Sequence, residues 1–261
     1  MKTAGKRLSH WLAVGLLRLK LMGAPWMIEL PRNGLMTVGS DVCHSSKSKN
    51  KSYGAFVATI DMKSSTRYFS SVTEHMKGQE LSNQILMNMT CALKAYREHH
   101  GSLSDRILFF GDCVGDSQLN QRRPGVFNIE EKFLKTRLDE IYKSAGREKG
   151  CNLAFIVVKK RINTRYFVNK KKYPEPGTVV DDGVTLPERY DFYLVSQAIK
   201  QGTVSPTNYN VLHDSMGMNA DKIQILTYKM THMYYNWSGT CRVPVVCQYA
   251  SYTSTSNTRT I

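Results

Sequence analysis

Phe109-Phe110-Gly111-Asp112-Cys113-Val114-Gly115-Asp116, read together with Val38-Gly39-Ser40-Asp41-Val42, decides what fold this chain adopts. In each stretch a short apolar run, of the kind buried on both faces of a sheet, delivers an aspartate to its end. Such strands lie side by side in a core, so two carboxylates far apart in sequence arrive at one end of it. Paired carboxylates are hard oxygen donors, the chemistry that magnesium-dependent displacement at a phosphate requires.

The segments around these two stretches fit the same design. Residues 35–42 read as a buried strand in which Ser40 sets a hydroxyl among apolar neighbours. Residues 53–60 and 65–72 alternate β-branched and aromatic side chains, which predicts two antiparallel strands joined at Asp61-Met62-Lys63-Ser64. Gly78 opens a helical pattern in which Leu81, Ile85, Met89, Leu93 and Tyr96 recur every three or four residues. Phe133, Leu134, Leu138 and Ile141 mark a second helix ending near Gly146, and Ile223, Leu226, Thr227, Met230 and Met233 a third. Residues 153–158 and 190–195 are further apolar strands, and residues 174–183 a loop. Met216, Met218 and the methionines of the third helix read as core. Strands alternating with helices predict an α/β sheet with mixed edges. Residues 251–261, rich in Ser, Thr and Asn without periodicity, are expected to be a loose, disordered polar tail.

Composition narrows the function. The chain has 261 residues, enough for a sizeable core. Its 36 Lys+Arg outweigh 21 Asp+Glu by +15, a balance that favours polyanions, of which nucleic acid is the commonest. The six cysteines (43, 91, 113, 151, 241, 247) contain no C-x-x-C pair and sit mostly in apolar runs, which argues against structural zinc and for reduced thiols. A basic start, Lys2 to Arg7, precedes an apolar run that Arg18 and Lys20 end after about seven residues, too short to span a bilayer. Residues 1–19 are therefore read as a non-targeting extension, with no membrane partner expected.

A resemblance covers most of the remainder. Lys20-Leu21-Met22-Gly23-Ala24-Pro25-Trp26, Met36-Thr37-Val38-Gly39-Ser40-Asp41-Val42-Cys43-His44, Gly78-Gln79-Glu80-Leu81 and Val114-Gly115-Asp116-Ser117-Gln118-Leu119 follow one family in order. So do Lys160-Arg161-Ile162-Asn163-Thr164-Arg165-Tyr166-Phe167, Pro176-Gly177-Thr178-Val179-Val180-Asp181, Gln201-Gly202-Thr203-Val204-Ser205-Pro206-Thr207 and Cys247-Gln248-Tyr249-Ala250. Residues 20–250 resemble the PIWI domain of the Piwi branch of Argonaute proteins. The resemblance implies a ribonuclease H-like mixed sheet flanked by helices, and descent from guide-RNA-directed RNA endonucleases (slicers) that silence transposons through piRNA in the germline. It also implies a cytoplasmic location in perinuclear granules, with the nucleus as alternative.

That family holds two Mg²⁺ ions, or Mn²⁺, with an Asp-Glu-Asp-His set. By position Asp41 and Asp112 match the two aspartates that ligate metal, and Glu80 the glutamate inserted from a loop. The histidine position carries Ser251, a neutral and weaker ligand, so metal is expected to bind weakly and cleavage to be impaired. Gly111, Cys113, Ser117 and Ser40 also depart from the family pattern. The expected layout has no MID or PAZ domain for gripping guide ends, and residues 251–261 in place of the family's last helix, leaving apolar surface uncovered. Seven cations fall between residues 159 and 172 without an acid. By resemblance, Lys160, Arg161 and Arg165 contact phosphates of single-stranded RNA or a guide–target duplex, while residues 170–172 form a solvated loop. Three functions stay open at this point: RNA binding with impaired cleavage, residual metal-dependent endonuclease activity, or a degenerate copy acting through Piwi-pathway proteins.

Overall fold

The computed structural model describes residues 34–44, 51–61, 67–76, 82–112, 126–168, 172–185, 190–199, 203–237 and 239–259. Eight strands form one mixed sheet: β1 (Leu35–His44), β2 (Lys51–Asp61), β3 (Arg67–Met76), β4 (Arg106–Asp112), β5 (Asn152–Lys159), β6 (Thr178–Val180), β7 (Tyr190–Val195) and β8 (Thr207–Asp214). Their order is β3-β2-β1-β4-β5-β8-β7-β6. β1, β4 and β5 run parallel at the centre, and antiparallel strands complete both sides. Helices α1 (Ser82–His100) and α2 (Val126–Ser144) cover one face; α3 (Ala220–Met230) and α4 (Val245–Arg259) cover the other.

The middles of the central strands carry apolar residues on both faces because each face has its own cover. On β4, Ile107 and Phe109 join the core beneath α1 and α2, with Met89, Leu93, Leu138 and Tyr142. Leu108 and Phe110 join the opposite core, with Ile223, Met230, Val246 and Cys247. The same alternation divides β1 and β5, as the two-residue period of a strand requires. Phe109 stacks on Phe155 of β5 at 4.7 Å between centroids and 11° between planes.

Three sequence expectations need correction. Residues 251–259 are not a loose tail, since α4 continues through them to Arg259 and buries Thr253 and Ser254. Hydroxyls along it bond back to the helix: Thr253 donates to the Tyr249 carbonyl at 2.7 Å, Ser256 to Tyr252 at 2.8 Å. Packing on the sheet then outweighs the modest helix propensity of Ser and Thr. A last helix is therefore present, and the apolar face expected to be bare is covered by Val245, Val246, Tyr249 and Ala250. The 174–183 segment is not wholly loop, because β6 lies within it. Strand β8, which the sequence reading did not anticipate, fills the gap between β5 and β7. The extension at residues 1–19, the start of the expected first helix at Gly78, Glu80 and Cys113 lie outside the described residues.

Candidate metal centre and nucleic-acid interface

Register and parity build the site. Odd-numbered residues of β1 face α4: Gly39 approaches so closely that a Cβ there would lie 2.5 Å from the Val246 carbonyl carbon and 2.7 Å from the Cys247 nitrogen. Asp41, two residues on, faces the same way. Ser40 pairs with Gly111 in the parallel β1–β4 register, so Asp112 lies beside Asp41 and shares its face. Asp112 pairs in turn with Val158 of β5, and two residues further Lys160 turns toward the same place. Three adjacent strand ends thus deliver two carboxylates and an ammonium beneath α4.

Asp41 is 8% exposed. Its carboxylate hydrogen-bonds with Asp112 and with the hydroxyls of Ser251 and Ser254, the latter donating to Oδ2 at 3.3 Å. Burial opposes its ionisation, but these hydrogen bonds and the Lys160 charge outweigh burial and hold its carboxyl below the usual aspartate range. Asp112 shifts the other way: burial first, then its hydrogen bond to Asp41, pushes it up to about 7 against the pull of Lys160. Two neighbouring carboxylates in a dry site share one proton near neutrality, and that proton belongs to the pair. Lys160 Nζ lies 2.5 Å from Asp112 Oδ2 and remains charged, since both aspartates offset its own burial.

The Lys160 ammonium is thus paired with the carboxylates and largely buried. The Lys160 backbone is held too, because the Arg242 guanidinium donates to the Lys160 carbonyl, to Ser205 Oγ at 2.9 Å and to the Pro206 carbonyl at 3.0 Å. Arg161 and Arg165 are exposed on the following segment, where Arg165 donates to the Ile162 and Thr164 carbonyls at 2.9 and 2.7 Å. Arg242 and Ser254 were missed from sequence. The available signals were an arginine inside the apolar run 241–246, and a serine one helical turn beyond Ser251.

The donor chemistry suits a divalent ion in part. Asp41 and Asp112 offer adjacent hard oxygens, and a dication would displace the proton they share. Ser251 presents a hydroxyl rather than an imidazole. Among the described residues no cluster of three or more His, Cys, Asp or Glu side chains assembles. His213 pairs instead with Glu131 at 3.2 Å, and the His232 ring meets the Tyr228 ring at 4.7 Å. No helix among the described residues is long and apolar enough to cross a membrane.

A mixed sheet with aspartates at the ends of adjacent central strands, roofed by a helix, defines a ribonuclease H-like domain of the Argonaute type. The family model described as "Piwi domain" matches residues 15–260, and the chain belongs to that family. It is 67% identical over 231 residues to "Protein aubergine" of Drosophila melanogaster, which covers 88% of this chain and 26% of that protein. It is 53% identical to "Piwi-like protein Siwi" of Bombyx mori, covering 88% of this chain and 25% of the relative. The crystal structure of Drosophila Piwi superposes with a TM-score of 0.80 at 46% identity, over 94% of this chain and 32% of that one. A Kluyveromyces polysporus Argonaute solved with a guide RNA shares the fold, with a TM-score of 0.76 at 24% identity, over 95% of this chain and 30% of that one. The chain spans about a quarter of the length of these curated relatives.

Proposed function

We propose that this Piwi domain acts in piRNA-type silencing of transposons as an RNA-binding module whose cleavage step is impaired. The observation that carries the reading is Ser251, whose hydroxyl rests on Asp41 at the position where the family's fourth metal ligand is expected. In this reading Asp41 and Asp112 hold Mg²⁺ or Mn²⁺ weakly, with Glu80 as the third carboxylate. The metal's chemistry would be to stabilise the attacking and leaving oxygens of a phosphodiester. A hydroxyl supplies less charge to such an ion than an imidazole, and loss of outer partners already costs about 10–100-fold.

RNA affinity in this reading comes from Arg161, Arg165 and the overall charge of +15, with Lys160 withdrawn from that role. Binding is then sequence-independent and steeply salt-dependent. Charge reversal at Arg161 and Arg165 together should remove most of the affinity for a short single-stranded RNA, read by fluorescence anisotropy across a salt series. Unchanged affinity would sink the proposed surface. Partners from the Piwi pathway and a place in cytoplasmic germline granules belong to the same proposal.

A second reading, residual endonuclease activity, is favoured by one observation: Asp41 and Asp112 remain paired on adjacent strands. A cleavage time course on a guide-paired target in Mn²⁺, against an Asp112→Ala control, separates the two. Product clearly above the control establishes the second reading; product at the control level supports the first. Ser251→His is expected to leave cleavage low.

A further inference from the structure

We propose that Lys160 is a built-in counter-ion that competes with divalent metal for Asp112, so that the carboxylate pair is closed to metal until the ammonium swings away. The inference rests on reading Asp41 and Asp112 as the divalent site. Three geometric facts carry it. Nζ lies 2.5 Å from Asp112 Oδ2, and the two side chains are only 23% and 12% exposed. An ion bound to that oxygen at the ~2.0–2.1 Å that Mg²⁺ requires would lie within a few ångströms of the ammonium. The Lys160 backbone is pinned by Arg242, so the ammonium must leave by rotation of its four-carbon stem and not by movement of the strand end.

The charges agree with this account. Two carboxylates facing each other under α4 would repel without a cation, and Lys160 supplies one that the chain carries itself. The fold then needs no metal to bring β1 and β4 together. A dication arriving at Asp112 gains two carboxylates but meets a positive charge already in place. Even at the dielectric of water, a unit charge about 4 Å from a dication weakens its binding on the order of tenfold or more.

The test compares the full chain with Lys160→Gln, measuring Mn²⁺ affinity by calorimetry and by the loss of the free-ion electron paramagnetic resonance signal. Lys132→Gln, which removes an equal charge from the exposed surface of α2, is the control. The expected result is Mn²⁺ bound on the order of tenfold or more tightly by Lys160→Gln, with Lys132→Gln close to the parent and Asp112→Asn abolishing the gain. A larger rise in melting temperature on adding Mn²⁺ should accompany it in Lys160→Gln. Equal, measurable affinity in the parent and Lys160→Gln overturns the competition while leaving the metal site standing. No Mn²⁺ binding by either chain at millimolar metal overturns both the site and the competition. If Lys160→Gln does not fold, amine labelling of the parent decides: Lys160 should be protected without metal and labelled faster with Mn²⁺. Labelling unaffected by the metal overturns the proposal.

Discussion

The stability of Asp112→Asn relative to the parent should rise between pH 5 and pH 8 in a chelating buffer, whatever constant cost the loss of the Lys160 pair adds at every pH. The reasoning starts from the carboxyl pushed up to about 7 by burial and by Asp41. An unfolded aspartate titrates near 3.9. Between roughly pH 4 and 7 the folded chain therefore keeps a proton that the unfolded chain has released. A raised folded value means that the stabilisation is fully present below the unfolded value and is lost as pH rises toward 7. Each pH unit inside the window removes about 1.4 kcal/mol, so going from pH 5 to pH 8 should cost the parent about 2.7 kcal/mol through this group. Asp41 carries the opposite sign: its lowered value stabilises the fold above the usual aspartate range and loses effect only in acid, outside this window. Asparagine keeps the shape and a donor toward Asp41 but has no proton to lose. Contributions from sites far from this pair are common to both chains and cancel in the difference. Urea titrations at half-unit pH steps give that difference directly. Parallel stability curves for the two chains between pH 5 and 8 would refute a proton shared by this pair.

Gly39→Ala should cost about 1–3 kcal/mol, because the new methyl meets the α4 backbone rather than a movable side chain; thermal melts check it. Phe155→Ala, which empties the stack against Phe109, should cost about 3–5 kcal/mol in urea unfolding. Arg242→Ala leaves the carbonyls of Lys160 and Pro206 without their guanidinium donor and should cost about 1.5–3 kcal/mol. Its second readout is hydrogen exchange at the end of β5, which should quicken there more than in β2.

The centre of the sheet was legible because period and burial agree. Residues 35, 108 and 110 join one core while 36, 107 and 109 join the other, and both aspartates follow from continuing that count. Strand β8 was not legible because Asn208 and Asn210 are poor strand formers. Its neighbours supply the reason it forms: both asparagines are buried, and the Asn208 amide donates to Asp191 of β7 at 3.2 Å. The last turns of α4 were hidden by composition, since Ser and Thr favour loops until their hydroxyls find carbonyls one turn back. The Asp112 partner of Lys160 was hidden because its sequence neighbours are cations, and only the β4–β5 register brings the two together. The family pattern identified Ser251, and the fold added Ser254, which no spacing rule for metal ligands would select.

The contact between Ser254 and Asp41 joins groups 213 residues apart, so the ribosome makes one long before the other. At about 5–20 residues per second, a nascent chain would wait roughly ten to forty seconds between exposing Asp41 and gaining the helix that roofs it. By the later part of that interval β1, β4 and β5 have all been synthesised, and Lys160, which directly follows β5, is in the chain before α4 to offset the two acids. Closure of α4 onto Gly39 then seals a pocket whose charge was settled earlier. An assembly order of this kind makes the sheet a template and the helix its clasp, with the acidic pair kept from stray ions until the chain is nearly complete.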